Sequence, residues 1–357
     1  MPKIINVETA LPPYKITQAK AASFAKNMFA DSFKNIDRLL SIFENSDIQS
    51  RYFVQEIDWF QQKHSFEEKN NLFIEKAVEL GKKSVEAIID ITDGLSYDNI
   101  DAIFTICTSG LATPTIEARI MNLLPFSPHV KRIPIWGLGC AGGAAGLSRA
   151  YDYCLAYPKA NVLVITVELC SLTFQANDRS KSNFVGTALF ADGVACALVS
   201  GDNSDVCRHL KEPKPSIVGT LSTLKKDSLD VMGWNVKNEG MFVVFSKDIP
   251  SLVSTWLEPN TVGFLNQYGL ELEDISIIVA HPGGKKVLDA YQTSLHLSEK
   301  QLQLSKQVLN EYGNMSSATV LYVLKEQLKK KVDRNQYGLA FALGPGFSSE
   351  LLLLRWS

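Results

Sequence analysis

Residues 132–147 read RIPIWGLGCAGGAAGL, and this stretch decides the fold class. A short β-rich run enters a glycine-rich turn, and a helix of small apolar residues leaves it. Glycines in the turn permit positive φ and close backbone approach, while the small side chains allow the helix to lie deep in the protein. Cys140 stands at the predicted start of this helix, where free backbone N–H groups and the helix dipole favour a thiolate.

Strand and helix patterns alternate through most of the remaining sequence. Amphipathic spacing predicts helices over 21–43 and 72–89, and the first ninety residues are expected to be mostly helical and polar. Strands that alternate with helices indicate an α/β architecture with a buried sheet. The predicted strands are 100–107, 132–136, 162–167, 194–200, 217–221, 275–280, 339–343 and 351–355.

The sequence also contains a long internal repeat. Residues 99–107 resemble residues 274–281, and the helix that begins at Cys140 falls opposite one that begins at Asn314. These matches, and that of strand 162 with strand 338, share offsets of 174 to 176 residues. Two similar halves are therefore predicted, with the polar stretch 201–215 between them.

Composition excludes several classes of protein. The chain has 357 residues, and 36 Lys and Arg against 38 Asp and Glu give a net charge of −2, which excludes a phosphate-dominated nucleic-acid binder. The sequence contains no run of eighteen apolar residues, so no membrane-spanning helix is predicted. The N-terminus lacks the apolar core of a signal peptide, and a cytoplasmic location is therefore expected. The six cysteines form no CxxC or zinc pattern, so we expect free thiols and no metal site.

A histidine and an asparagine stand at the ends of downstream elements. The run IIVAHPGGKK over 277–286 reads as a buried strand that ends at His281 and is followed by a forced turn. Asn314, in EYGNMSSAT over 311–319, opens the helix opposite that of Cys140. Because α/β proteins place their sites at such element ends, the three side chains are predicted to face one cavity. They would supply a nucleophile, an acid–base group and an amide donor.

Other interpretations of these residues stay open at this point. GLGCAG at 137–142 matches the dinucleotide-binding fingerprint, with Glu168 placed as a ribose-binding acid. A buried packing thiol is the commonest role of a cysteine, and Asn314 or Ser316 fits an ordinary helix N-cap. A papain-like protease uses the same residue types, but a cysteine that opens a Gly/Ala helix inside an α/β duplication disfavours that class.

Taken together, these segments resemble the thiolase-fold condensing enzymes, and among them the type III polyketide synthases of the chalcone synthase-like family. The resemblance runs from about residue 4 to the C-terminus, and the chain looks most like bacterial alkylpyrone synthases. It implies a thiolase-like α/β fold of two pseudo-duplicated αβαβα halves, here 1–205 with the cysteine and 206–357 with the histidine and asparagine. The motifs that carry it are GCAGG at 139–143, ALFADG at 188–193, AHPGG at 280–284, YGNMSS at 312–317 and GPGF at 344–347.

The resemblance implies an acyltransferase that uses CoA thioesters as substrates and needs no metal or cofactor. Cys140 would accept a starter acyl group, and His281 would stabilise its thiolate as an imidazolium–thiolate pair. His281 and Asn314 would bind the malonyl thioester carbonyl and stabilise the enolate left by decarboxylation. That enolate would attack the Cys140 thioester in a Claisen condensation, which loss of CO2 drives.

Several further positions match residues that line the cavity of this family. Phe190 matches a phenylalanine at the junction of the CoA tunnel and the cavity. Thr173 and Ser316 match residues that shape starter and length preference. Thr113 matches a methionine that reaches into the cavity of the partner subunit, which would imply a homodimer.

The sequence departs from the family pattern at two places. Val243 stands where a second gatekeeping phenylalanine is expected, unless Phe242 or Phe245 takes that place, so the passage should be wider and suit an aliphatic chain. Arg38 matches one basic residue that contacts CoA phosphates, whereas serine and asparagine replace others. Further candidates for those phosphates are Arg51, Lys131 and Arg132.

The resemblance favours a homodimeric synthase that condenses a medium- or long-chain fatty acyl-CoA with malonyl-CoA two or three times. The product would be an alkyl α-pyrone, a triketide or tetraketide. A 3-oxoacyl synthase III-like enzyme would share the fold but perform one condensation. A dinucleotide- or acyl-CoA-binding protein is the third alternative, and the intact set of Cys140, His281 and Asn314 argues against it.

Overall fold

The chain folds into alternating strands and helices, as the sequence pattern predicts. Residues 1–246 and 248–357, which this computed structural model describes, form thirteen strands and eleven α-helices. The strands are β1 Lys3–Ala10, β2 Tyr14–Thr17, β3 Ser50–Phe53, β4 Ala102–Ile106, β5 Lys131–Ile135, β6 Asn161–Leu169, β7 Asp192–Ser200, β8 Pro215–Leu224, β9 Met232–Lys237, β10 Gly240–Phe245, β11 Ile275–Ala280, β12 Tyr337–Gly344 and β13 Ser348–Trp356. The helices are α1 Gln18–Phe29, α2 Ile36–Glu44, α3 Phe66–Ile91, α4 Ile116–Met121, α5 Gly142–Ala156, α6 Lys181–Leu189, α7 Asp205–Arg208, α8 Ile249–Asn266, α9 Lys285–Ser294, α10 Glu299–Tyr312 and α11 Thr319–Leu328.

Nine strands form one mixed sheet that joins the two halves of the chain. Its order is β11-β12-β13-β8-β1-β7-β6-β4-β5. The group β8, β13, β12, β11 mirrors the group β1, β7, β6, β4, and the groups meet where Lys3 of β1 pairs with Ser216 of β8. This arrangement confirms the predicted α/β duplication. Each half supplies a group of adjacent strands, and the two groups lie edge to edge in a single sheet.

Helices α5 and α11 lie at the centre of the molecule. Helix α5 contacts β4, β6 and β7 of the first half and β12 and β13 of the second, and α11 packs against it and against β1, β7 and β11. Such close packing depends on glycine, because a Cβ on Gly143 would lie 2.2 Å from the Ser317 carbonyl oxygen. The small-residue helix predicted from the sequence is therefore the buried core of the fold.

The structure differs from the sequence prediction in the first ninety residues. The amphipathic run 21–43 forms two helices, because α1 ends at Phe29 and the Asn35 side chain caps the start of α2 by accepting from the Arg38 N–H. Three strands, β1, β2 and β3, also lie in this region, and β1 is central in the large sheet. No helix of the described residues combines the length and the apolar content needed to cross a membrane.

Candidate active site

Cys140 lies in the turn between β5 and α5. Gly137 and Gly139 adopt φ of 93° and 47°, and a 3₁₀ turn over Gly139–Ala141 leads into α5. A Cβ on Gly139 would lie 2.6 Å from Pro345 Cδ, so this glycine is required for close packing as well as for the turn. The cysteine is therefore placed at the head of the buried helix, as predicted.

Asn314 follows α10, and hydrogen bonds hold both its backbone and its side chain. Its backbone N–H donates to Leu189 O at 3.0 Å, and its own carbonyl accepts from Ala191 N at 2.9 Å. Its Nδ2 donates to Gly283 O at 3.1 Å, and Oδ1 accepts from Ser316 N at 2.8 Å.

The same side chain reaches Cys140. The Cys140 Sγ donates to Asn314 Oδ1 at 4.0 Å. The amide therefore lies between the nucleophile predicted from sequence and the turn that carries His281.

His281 stands directly after β11, where its backbone N–H donates to Phe341 O at 2.9 Å. The side chain is 2% exposed, and both ring nitrogens lack a hydrogen-bond partner among the described residues. Gly283, which follows in the same turn, accepts the Asn314 amide hydrogen bond. The structure thus brings Cys140, His281 and Asn314 into one region, because Asn314 contacts Cys140 Sγ and the turn after His281. Among the described residues, the two ring nitrogens of His281 are left for a proton or a substrate oxygen.

Burial controls the electrostatics of this region. Loss of solvation raises the pKa of the Cys140 thiol to about 12, although hydrogen bonds with Ser316 and Asn314 act in the opposite direction. The same effect lowers the pKa of His281 to about 3. The direction of this pKa shift is opposite to the one that a helix N-terminus favours, and loss of solvation is its largest cause. A thiolate therefore needs a neighbouring base, and the helix end alone is insufficient.

Glu168 does not serve as the free acid that a dinucleotide site requires. It is fully buried at the end of β6, and its oxygens accept hydrogen bonds from Thr108, Ser109 and Ser317, including one from Ser109 Oγ at 2.8 Å and one from Ser317 Oγ at 2.5 Å. With these donors in place, the carboxylate has no free face for a ribose. The dinucleotide interpretation thereby loses its acidic residue.

An apolar cavity adjoins the loop that carries Asn314. Thr173, Phe190 and Val243 line it, together with aromatic and aliphatic side chains from α1, β3 and the following turn. Phe190 bridges to Asn314 through the backbone and packs against Phe245, with ring centres 5.5 Å apart and the ring planes tilted by 35°. Val243 and Phe245 share this side of β10, whereas Phe242 lines a separate trough that opens to solvent.

Sequence reasoning placed Thr173, Phe190 and Val243 at this cavity and missed most of its other lining residues, among them Cys170 and Arg51. Cys170 follows directly after β6, and Arg51 lies within β3. A thiol that directly follows a buried strand could have indicated Cys170 as a cavity residue, because α/β proteins place their sites at such strand ends. Arg51 gave no such signal, because the first ninety residues were predicted to be mainly helical.

The remaining predicted residues lie outside this cavity or at its edge. Ser316 is buried beside Asn314 and has a φ of 47°. Thr113 lies in an exposed loop and does not line the cavity of its own chain. Arg38 is exposed on α2.

Of the other basic candidates for CoA phosphates, Arg51 is wrong, because its side chain is 0% exposed and cannot meet a phosphate at the surface. Lys131 and Arg132 are exposed at the start of β5, whereas Cys140 follows its far end.

Comparison with known proteins places this chain in a family. Models of the N-terminal and C-terminal domains of chalcone and stilbene synthases match residues 2–203 and 217–356. A "Putative chalcone synthase" of Bacillus subtilis (strain 168) is 52% identical, with 99% of this chain and 98% of that protein covered. A 1,3,6,8-tetrahydroxynaphthalene synthase of Streptomyces peucetius subsp. caesius is 33% identical over 99% of this chain and 93% of its own length.

The fold comparison agrees with the sequence comparison. The crystal structure of 1,3,6,8-tetrahydroxynaphthalene synthase from Streptomyces coelicolor A3(2), described as a bacterial type III polyketide synthase, superimposes with a TM-score of 0.91. It is 28% identical and covers 99% of both chains. The thiolase-like fold predicted from the sequence is thereby confirmed. The chain belongs to the chalcone and stilbene synthase family of type III polyketide synthases.

Proposed function

We propose that this enzyme loads a starter acyl group onto Cys140 and extends it with malonyl-CoA by decarboxylative Claisen condensation. The observation that carries the proposal is the contact of Cys140 Sγ with Asn314 Oδ1 at 4.0 Å, because the same Asn314 amide donates to Gly283 O in the turn that follows His281. The turn before α5 then supplies the nucleophile, the end of β11 supplies the base, and the segment after α10 supplies the amide donor. No other residue is needed to explain the covalent step.

The steps follow from the surroundings of each group. Either charge alone is disfavoured by burial, but transfer of the thiol proton of Cys140 to His281 leaves the net charge of the site unchanged. The sulfur attacks the starter thioester, and the CoA thiolate leaves with the proton that His281 took from Cys140. His281 and the second N–H of Asn314 Nδ2 then hold the malonyl thioester oxygen as CO2 departs. The enolate carbon attacks the Cys140 thioester, and the cysteine thiolate is released while the extended chain is held as a CoA thioester. Cys140 then attacks that thioester and expels CoA, so that the chain is reloaded for the next extension.

The starter is proposed to be a medium- or long-chain fatty acyl group, and the product an alkyl α-pyrone formed after two or three extensions. The cavity wall supports this choice, since it is built from phenylalanines and aliphatic residues around Phe190 and Val243. Valine in place of a gatekeeping phenylalanine leaves room for an alkyl chain. Such a chain gains about 0.8 kcal/mol for each buried methylene group.

Product analysis tests this proposal. Purified protein is incubated with malonyl-CoA and a panel of acyl-CoA starters from acetyl to palmitoyl, and products are identified by mass spectrometry. The proposal predicts alkyl pyrones whose mass follows the starter. It is contradicted by a product made from malonyl-CoA alone, while a single β-ketoacyl product would favour the 3-oxoacyl synthase III-like alternative.

We further propose that the enzyme is a cytoplasmic homodimer in which the exposed loop around Thr113 meets the partner, and that Arg38 contacts CoA. Light scattering on the purified protein tests the dimer. The KM for acyl-CoA in Arg38→Ala tests the second contact, with acyl-pantetheine, which lacks the nucleotide phosphates, as the control substrate. A monomer would contradict the dimer. Equal effects of Arg38→Ala on the KM values of the two substrates would contradict the contact of Arg38 with CoA.

A further inference from the structure

The ring of Phe190 is held from several sides at the wall of the apolar cavity. Besides Phe245, the indole of Trp234 packs against it, with ring centres 5.8 Å apart and the ring planes tilted by 34°. Such separations are typical of favourable aromatic pairs. On another side lies Gly186 of α6, where a Cβ would be 3.4 Å from Phe190 Cδ2. The ring is therefore enclosed by α6 and by two aromatic side chains.

Both aromatic neighbours of Phe190 belong to one hairpin. Strands β9 and β10 pair with each other in a separate two-stranded sheet, outside the nine-stranded one. Trp234 is the cross-strand partner of Val243, and Phe245 follows Val243 by two residues. Because opposed residues and alternate residues of a hairpin lie on one face, Trp234, Val243 and Phe245 form a single surface. One face of the hairpin thus meets both Phe190 and the cavity.

The backbone of Phe190 is fixed by hydrogen bonds. Its N–H donates to Gly186 O at 2.9 Å, and its carbonyl oxygen accepts from Arg51 Nη1 at 2.7 Å. The next residue, Ala191, donates its N–H to Asn314 O at 2.9 Å. Only rotation about the side-chain bonds can therefore change how far the Phe190 ring extends into the cavity.

Trp234 acts on the cavity through Phe190. Phe190 and Val243 line the cavity, whereas Trp234 is not among the described residues that form its wall. The half-buried indole instead occupies space that borders the Phe190 ring. Removal of the indole would leave an apolar gap there, and the ring could reach it by a change of rotamer.

We infer that Trp234 is a positioning residue that restrains the Phe190 ring at the cavity wall and thereby limits the length of the acyl chain that the cavity admits. Valine at position 243 widens the passage, and Trp234 sets how much of that width a chain can use. The selection among fatty acyl starters rests on the proposed function, whereas the restraint of Phe190 rests on packing alone. The covalent steps at Cys140 do not depend on Trp234.

Competition between starters tests the inference. Hexanoyl-CoA and palmitoyl-CoA are offered at equal concentration, and the acyl masses on the Cys140 peptide are quantified early in the reaction. In Trp234→Ala the ratio of palmitoyl to hexanoyl loading should rise about tenfold over the wild type, the gain expected when a wider cavity buries two further methylene groups. Trp234→Phe retains an aromatic ring and should bring the ratio back towards the wild-type value. An unchanged ratio in a folded Trp234→Ala enzyme would overturn the inference.

Trp256→Ala is the matched control. Trp256 lies in α8, is half-buried, and packs on Phe347 with ring centres 5.3 Å apart. General loosening of the fold would affect both tryptophan variants, so an equal shift of the starter ratio in the two would refute a specific role of Trp234. Trp234→Leu keeps apolar packing and guards against a variant that does not fold. It should give an intermediate ratio, and the wild-type ratio in Trp234→Leu and Trp234→Ala alike would contradict the inference.

A measurement on the ring itself separates this inference from the proposed function. 4-Fluorophenylalanine is incorporated at position 190, and its fluorine NMR signal is recorded without substrate. We expect one narrow signal in the otherwise unchanged enzyme and in Trp256→Ala, and a broadened or split signal in Trp234→Ala. If fatty acyl groups do not load onto Cys140 but the signal splits, the proposed starter fails alone. If alkyl pyrones form while the signal stays single and narrow in Trp234→Ala, the inference about Trp234 fails alone.

Discussion

At the scale of single residues, the proposed chemistry depends on a proton moving from the half-buried Cys140 to the buried His281. Burial raises the pKa of Cys140 to about 12, so without a base the thiolate fraction falls about tenfold for each pH unit below that value. In His281→Gln, the alkylation rate of Cys140 by iodoacetamide should therefore be low at pH 7 and rise about tenfold per unit to pH 10. In the wild type the rate at pH 7 should be higher and depend less on pH. Identical pH profiles for the two proteins would contradict the role of His281.

At the scale of elements, the contact of α5 with the start of α11 sets the position of the site. Gly143→Ala would place a Cβ 2.2 Å from Ser317 O, and we expect it to lower the free energy of unfolding by about 1–3 kcal/mol. Gly263→Ala in α8 is the matched control, since a Cβ there meets nothing within 4 Å and should stabilise the helix by about 0.5–1 kcal/mol. Urea unfolding measures both values. Equal effects of the two substitutions would show that the helix contact is not tight.

The β9–β10 hairpin gives a second prediction at this scale. Val243 faces the cavity, and Val244, the next residue, points to the opposite side of the strand. Val243→Phe should lower kcat/KM for long-chain starters by about tenfold or more and spare acetyl-CoA, because the ring fills the passage. Val244→Phe should leave the ratio of long to short starters unchanged. Competition assays with mixed starters measure that ratio, and a shift in the control alone would place the passage elsewhere.

The elements also show how far the sequence alone reaches. The repeat offset and the strands around residues 100–107 and 275–280 are confirmed, because buried strands and small-residue helices leave strong local patterns. Strand β1 was not predicted, since its run KIINVETA becomes a central strand only through long-range pairing with β7 and β8. The cavity position of Arg51 was also not predicted, because burial of a charge depends on tertiary packing that no local pattern records.

At the scale of the whole molecule, one sheet links the halves 1–205 and 206–357, which we propose as the two structural units. Strand β1 pairs with β8, and Ile217 N–H donates to Pro2 O at 2.9 Å. Each half alone would expose an open sheet edge and one side of α5 or α11. We therefore expect each separately expressed half to be unfolded or aggregated by circular dichroism and size exclusion. A cooperative unfolding transition in either isolated half would show that the units are independent.

The central claim, that Cys140 carries the growing chain, is tested most directly by peptide mass spectrometry of the acylated enzyme. The protein is mixed with a fatty acyl-CoA, quenched and digested, with and without a later addition of malonyl-CoA. We predict the acyl mass on the peptide that contains Cys140, its replacement by extended chains when malonyl-CoA is added, and no acylation in Cys140→Ala. Acylation of Cys170, the other cysteine beside the cavity, or product formation by Cys140→Ala would contradict the account.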